Sequence, residues 1–329
     1  MLLLVVAVTA FLVSCLGTRG LVTVLRRSAV LDRPNERSSH VVPTPRGGGI
    51  AVIGTSVTAS FALCGAGIMP PSAVVVAFGA AGLAVVSWFD DLRGLSPALR
   101  LLVQFAAVAA GALALPQGAV FQGWLPLGLD RIAAALLWVW FVNLFNFMDG
   151  IDGIDASEAA AVGVGVVLVA SGSLDLAAPA AAIAAAALGF LVWNWAPARI
   201  FLGDVGSVPL GYMLGFLLYQ LALRGAWQAA LILPLYFLAD ATLTLLRRLA
   251  RGERIWHAHR EHFYQRAVQR GLGHAAVVLR VIAANVVLIA CACAAVRGWG
   301  FAALGTAVLT VAVLLVGLGR GFSASLRAR

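Results

Sequence analysis

Five short stretches of this sequence hold residues that can bind phosphate or a hard divalent cation. The first runs from Asp32 through Arg37 and His40 to Pro43-Thr-Pro-Arg46-Gly47-Gly48-Gly49. Arg37, His40 and Arg46 suit phosphate oxygens, and the three glycines would let the backbone approach a ligand closely. A basic loop ahead of a glycine-rich helix start is the alternative. The second stretch, Phe89-Asp90-Asp91-Leu92-Arg93, closes an apolar run with two adjacent carboxylates. On a helix these point about 100° apart, so one can face a metal while the other meets a second ligand or a proton. A solvated helix end would look the same.

The third stretch is Asn143-Leu-Phe-Asn146-Phe-Met-Asp149-Gly-Ile-Asp152-Gly-Ile-Asp155. Asn146 and Asp149 share a helical face if the helix persists. Each of the first two aspartates is followed by a glycine, so the chain can turn sharply with its oxygens inward, the donors that hard cations take. The ligand spacing of a calcium-binding helix–loop–helix is absent. The fourth, Asn194 to Phe201-Leu-Gly203-Asp204-Val-Gly206-Ser207, brackets Asp204 with glycines. A helix resuming near Ser207 would offer free backbone N–H groups to a phosphate. Mg²⁺ keeps several waters and takes one or two carboxylates beside substrate phosphates, and Asp204 fits that pattern. The fifth, His257-Ala-His259-Arg260-Glu-His262, lies among Arg247, Arg248, Arg251, Arg254 and Arg266. Zinc is a rival ligand, and a purely topogenic loop is another reading. The arginines repel a cation and favour phosphate.

The elements that must position these residues are membrane helices. Of 329 residues, 62% are hydrophobic and 11% charged, too few polar groups to cover a soluble domain. The net charge is +9, and all 23 basic residues are Arg. They gather in short loops between apolar runs, the pattern of cytoplasmic loops rather than of a nucleic-acid surface. Cys15, Cys64, Cys291 and Cys293 lie in apolar runs and read as packing residues. The first apolar run has no basic leader and is expected to be a retained helix, not a cleaved signal. Spans of about 20 apolar residues are predicted at 1–25, 47–65, 72–89, 97–115, 131–148, 156–173, 176–194, 206–223, 227–246, 275–296 and 299–318. The expected fold is an all-α, polytopic, single-domain bundle of about 11 transmembrane helices, N-terminus outside and C-terminus cytoplasmic. The inner loops are then 26–46, 89–96, 149–155, 195–205 and 247–274, with the tail at 319–329. Asp90, Asp91, Asp149, Asp152, Asp155, Glu158 and Asp204 fall on that side, Asp130 and Asp175 on the other, and Asp240 within a span. Gathering from four chain positions at one boundary favours a site. A transporter with a cytoplasmic-side acidic site is the competing class, although transporters place their substrate near mid-membrane.

In order and spacing, these motifs resemble the polyprenyl-phosphate N-acetylhexosamine-1-phosphate transferase superfamily. The resemblance runs from Asp32 to about His274. The Pro-Asn-Glu-Arg-Ser-Ser-His to Pro-Thr-Pro-Arg-Gly-Gly-Gly stretch looks most like the O-antigen-initiating branch. It implies transfer of a sugar 1-phosphate from a UDP-N-acetylhexosamine to undecaprenyl phosphate, with release of UMP, at the cytoplasmic face of the bacterial inner membrane. It implies Mg²⁺, with Mn²⁺ as a substitute, and a homodimer. Carried over by position, Asp204, Asp90 and Asp91 are the metal and catalytic carboxylates. Asn146, Asp149 and Asp152 form the uridine-diphosphate motif, and Asn194 and Phe201 hold uracil. His257, His259, Arg260 and His262 bind phosphate. Two departures stand out. Gly94 replaces the polar, acidic or Lys residue that many members carry three positions after the second Asp. The late histidines are spaced rather than adjacent, which disfavours the peptidoglycan precursor as substrate.

Overall fold

A computed structural model of the protein describes residues 1–32, 42–116, 118–170, 172–254 and 259–319. His257, Arg37 and His40 lie outside the described residues. Each predicted span appears as helix. In chain order these are α1 (Leu2–Arg27), α2 (Gly49–Gly65), α3 (Ala73–Arg93), α4 (Pro97–Ala114), α5 (Leu127–Met148), α6 (Ile154–Val169), α7 (Leu174–Asn194) and α8 (Asp204–Leu223). The ninth span is broken into α9 (Trp227–Ile232) and α10 (Leu235–Ala250). Pro234 stands at the break, where it supplies no backbone N–H to continue the helix. A short α11 (Phe263–Gln269) precedes α12 (His274–Ala294) and α13 (Gly300–Gly319), which are joined at Gly298 with φ of 100°. Seven helical stretches are long and apolar enough to cross a membrane, the last being the α12–α13 run. The chain is an all-α membrane protein. One small addition to that class is an antiparallel ribbon of β1 (Leu31–Asp32) and β2 (Thr44–Pro45).

Helix α8 is the axis of the bundle. Every residue from Val205 to Ala222 is buried, and α8 packs against α2, α3, α5, α6 and α9. Without a hydrophobic force between helices in lipid, close packing relies on small residues, and here they touch. A Cβ on Gly49 would come within 2.2 Å of Gly206 Cα, and one on Gly163 within 2.8 Å of Ala184 Cβ. The alanine-rich α7 similarly accepts α1 and α6 on its faces. The three glycines of the first motif therefore answer to the chain's own packing. Beyond the Gly49–Gly206 contact, a Cβ on Gly47 would meet Trp88 at 2.6 Å and one on Gly48 would meet Phe190 at 2.3 Å.

The ends of α3, α5, α7 and α10 and the starts of α2, α8, α11 and α12 meet at one end of the bundle. Hydrogen bonds show it: the Gly47 and Gly48 amides donate to Phe201 O, and Tyr264 Oη donates to Phe147 O. An apolar cavity of about 320 Å³ is lined instead by Phe121, Trp124, Trp138, Trp140, Tyr219 and Trp227.

Behind the acidic end, α6 and α12 share a polar contact. Asn285 Nδ2 donates to Glu158 Oε2 at 2.7 Å. Among the described residues, both carboxylate oxygens of Asp155, Glu158 Oε1 and Asn285 Oδ1 are buried without a hydrogen-bond donor. A buried carboxylate with so few donors is costly in this setting.

Two stability predictions follow from these contacts. Gly49→Ala is expected to lower the melting temperature in detergent, at a cost of about 1–3 kcal/mol or more. Gly54→Ala on the same helix, where a Cβ meets nothing within 4 Å, should be near neutral. Glu158→Gln, which keeps the shape and adds a donor, is expected to hold or raise the melting temperature. Glu158→Ala should cost about 1–3 kcal/mol.

Candidate active site

The site begins with a backbone splice. The Phe201 amide donates to Pro45 O at 2.8 Å, and the Gly48 and Gly49 amides donate to Phe201 O and Leu202 O, each at 2.9 Å. This holds the 44–49 segment against the 200–203 turn. Arg46 is consequently fixed at its backbone, and its side chain reaches two carboxylates. Nη2 lies 2.8 Å from Asp91 Oδ1 and 2.7 Å from Asp204 Oδ1. Burial works against the Arg46 charge, but Asp204, Asp91, Asp32 and Asp149 outweigh it and hold its pKa above the ordinary value.

The paired aspartates do not present free oxygens. Asp91 is 2% exposed. Its carboxylate accepts from the Asp204 amide at 3.1 Å and the Val205 amide at 3.0 Å, so it caps the start of α8. The N–H groups expected to be open to a phosphate there are closed by Asp91, and by Gly203 O, which takes the Gly206 and Ser207 amides. Asp90 Oδ1 accepts from the Leu95 amide, and Arg100 Nη1 lies 3.1 Å from its Oδ2. Gly203 has φ of 76°, and a Cβ there would meet Asp91 Oδ2 at 2.8 Å; only glycine lets the two segments close.

The Asp-Gly-Ile-Asp-Gly turn is tied by its own polar groups. Asn146 Oδ1 accepts from Ser207 Oγ. Asp152 Oδ2 accepts from the Ala198 amide at 3.1 Å and lies 3.2 Å from His274 Nδ1. Asn194 Oδ1 accepts from the Gly153 amide, and its Nδ2 donates to Ile200 O, both at 2.9 Å. Asn194, which was expected to hold uracil, joins two loops of the chain through both of its polar ends. Phe201 is half-buried at the same splice. Asp149 forms no such tie among the bonds of the described residues. Burial, opposed by Arg46 and reinforced by Asp204, Asp91 and Asp152, raises its pKa to about 7.

The late loop meets this turn through α11. A Cβ on Gly150 would touch Tyr264 Oη at 2.3 Å and Gln265 Nε2 at 2.9 Å. Asp240, within α10, organises the approach. Its Oδ1 accepts from the Phe263 amide at 3.0 Å and its Oδ2 from the Tyr264 amide at 3.3 Å, and Tyr236 Oη donates to it as well. His262 is 2% exposed, with Nδ1 3.2 Å from Asp240 Oδ1. It was expected to bind phosphate, and in this fold it anchors the loop to Asp240. His259 and Arg260 are half-buried. Burial, with help from His262 and Arg248, lowers the His259 pKa to about 4, so it is neutral at pH 7. Glu261 lies 2.6 Å from Arg251 Nη2 and 3.1 Å from Arg266 Nη2, bracing the loop.

The expected metal trio is divided by these contacts. Among the described residues no three His, Cys, Asp or Glu side chains are grouped to hold a metal. Asp90 and Asp91 are engaged as described. Asp204 is 19% exposed, and its Oδ2 has Arg100 no closer than 3.9 Å. Asp204, with Asp149 in electrostatic reach, suits a cation that takes one or two carboxylates and completes its shell with water and phosphate. Sequence reasoning missed Arg100, Ser207 and His274, and left Asp240 without a role. Arg100 follows the Asp-Asp pair by a short turn and was the one legible signal.

Because the Asp149 pKa is raised in the fold, the proton it holds stabilises the protein at low pH, and that contribution is lost as pH rises through about 7. The melting temperature of the free wild-type protein should therefore fall relative to Asp149→Asn between about pH 5 and 8, as read by thermal unfolding across that range.

Residues 73–222 match the family described as Glycosyl transferase family 4. The match takes in Asp90, Asp91, Asn146, Asp149, Asp152, Asn194, Phe201 and Asp204. The chain is also similar over most of its length to curated bacterial proteins. It is 28% identical over 290 residues to the probable undecaprenyl-phosphate N-acetylglucosaminyl 1-phosphate transferase of Bacillus subtilis, covering 83% of this chain and 80% of that one. It is 29% identical over 316 residues to the decaprenyl-phosphate N-acetylglucosaminephosphotransferase of Mycobacterium tuberculosis, covering 84% and 78%. It is 27% identical over 282 residues to the phospho-N-acetylmuramoyl-pentapeptide-transferase of Streptococcus pneumoniae, covering 78% and 85%. Relatives of both substrate types are thus present, and similarity alone does not select the O-antigen branch. The transporter alternative gives way to an enzyme: the chain is a phosphoglycosyltransferase whose residues 73–222 match glycosyl transferase family 4.

Proposed function

We propose that the protein transfers an N-acetylhexosamine 1-phosphate from its UDP-linked donor to undecaprenyl phosphate. An oxygen of the lipid phosphate forms a bond to the β-phosphorus of the donor, the bond between that phosphorus and the bridging oxygen breaks, and UMP leaves. The observation that carries this reading is the meeting of Arg46, Asp91, Asp204 and Asp149 at one end of a bundle of apolar helices. A water-soluble donor and a lipid whose phosphate lies at the interface can both reach such a mouth.

Phosphoryl transfer asks mainly for positioning and charge stabilisation. Arg46 and Arg100 stand at the rim, their side chains 36% and 38% exposed, and suit the diphosphate. Mg²⁺ held at Asp204, or Mn²⁺ in its place, would offset the negative charge of the two phosphates. Asp91 shapes the site by capping α8, which argues against a role as a mobile base. The acceptor needs no strong base, since a phosphate monoester with a second pKa of about 6 is already largely ionised near neutral pH. His259, neutral at pH 7, and Arg260 lie on the loop that faces the turn and are its candidate phosphate ligands, together with His257.

The loops that carry most of the arginines lie at the acidic end, which supports a cytoplasmic active face with the N-terminus outside. The sugar most in keeping with the relatives is N-acetylglucosamine, and the spaced late histidines disfavour a pentapeptide-bearing donor. The product would begin a lipid-linked surface glycan, O-antigen or a related polymer, with the enzyme acting as a homodimer.

The test is UMP release by purified protein with undecaprenyl phosphate, Mg²⁺ and a panel of UDP-N-acetylhexosamines. Lipid-dependent release from one donor, lost without Mg²⁺ and in Asp204→Ala, is the expected result. No release from any donor by folded protein would overturn this assignment of substrates.

A further inference from the structure

Asp204 sits between two guanidinium groups. Arg46 Nη2 bridges Asp204 Oδ1 and Asp91 Oδ1 at 2.7 and 2.8 Å. Arg100 Nη1 lies 3.1 Å from Asp90 Oδ2 and 3.9 Å from Asp204 Oδ2. Three carboxylates therefore face two positive charges, and Asp204 belongs to both groups. The partners differ in freedom. Asp91 is held under α8 by two backbone amides and Asp90 by one. The arginine side chains are more than a third exposed. Their backbones belong to a pinned splice and to α4, so the guanidinium groups can swing toward solvent while the carboxylates stay.

We propose that Arg46 and Arg100 are resident counter-cations of Asp204 that make divalent-metal binding conditional on a diphosphate. The proposal rests on reading the site as one for metal and nucleotide diphosphate. In the free protein, a divalent ion approaching Asp204 meets both guanidinium charges. At a separation of about 5 Å, one such charge weakens binding by at least about tenfold even at the dielectric constant of water. A diphosphate offers oxygens that match the guanidinium fork. It draws the arginines off and releases Asp204 Oδ1 to the metal. Metal and diphosphate then bind as a pair, each tightening the other by the same factor. No covalent bond is made or broken in this exchange.

The experiment measures Mn²⁺ binding to the purified full-length protein from the free-ion electron paramagnetic resonance signal, with and without UDP. Wild type should bind Mn²⁺ weakly alone and at least about tenfold more tightly with UDP. Arg46→Gln should bind Mn²⁺ more tightly than wild type without UDP, by about tenfold, and lose most of the UDP effect. Arg100→Gln should move the same way. Arg46→Lys, which keeps the charge, should stay near wild type. A gain in affinity is not what a damaged fold produces. If Asp204→Asn abolishes Mn²⁺ binding while Arg46→Gln and Arg100→Gln bind no more tightly than wild type, the counter-cation proposal is overturned and the metal site stands. If Asp204→Asn binds as wild type does, the metal reading fails and the proposal with it. Tight wild-type binding without UDP, or Arg46→Lys matching Arg46→Gln, would also overturn the proposal.

Discussion

Buried carboxylates that accept backbone N–H groups from a distant part of the chain hold this structure together. Asp91 on α3 takes two amides at the start of α8, and Asp240 on α10 takes two at the start of α11. Asp152 takes one from the loop after α7. Away from the site, Asp130 takes the Val120 and Phe121 amides at 2.8 and 2.9 Å. The bonds at the starts of α8 and α11 meet two needs. A helix begins with N–H groups that have no partner within it, and a carboxylate at a membrane boundary needs donors. Charge-assisted bonds of this kind are stronger than neutral ones, and the partial positive charge of a helix start adds to them.

The consequence for chemistry is a division of labour among acids that look alike in sequence. Asp90, Asp91, Asp152 and Asp240 set the positions of loops. Asp204 and Asp149 are left at the surface those loops form. Asp204 has its fixed neighbour in Arg46, whose backbone cannot drift because 44–49 is spliced to 200–203 and Gly49 is pressed on Gly206. Small residues fix the backbone, the backbone fixes the arginine, and the arginine sets the charge around the exposed carboxylate.

The bundle was largely legible because a run of apolar residues long enough to cross a bilayer is a simple one-dimensional signal. The exception is the span at 227–246, where Pro234 breaks the helix although the run reads as continuous. The location of the site was legible too, since acids and arginines recur where apolar runs end. What each side chain does was not. Asn194 reads as a ligand-binding amide, but it joins Gly153 to Ile200. His262 reads as a phosphate ligand, but it is buried on Asp240. A side chain's polar atoms are claimed by whatever the fold brings near, and partners such as Asp91 and Val205, 114 positions apart, leave no local trace. Gly47 to Gly49 make the same point, because a sequence cannot say whether a glycine makes room for a ligand or for a tryptophan.

The Asp91 cap also bears on how the protein is made. Asp91 enters the membrane with the third helix, 113 residues before the amide of Asp204 that it must meet. Until α8 is alongside, that carboxylate lacks the two amides that it accepts from in the fold. Asp240 waits in the same way for α11. The acidic mouth therefore closes only once the later helices are in place.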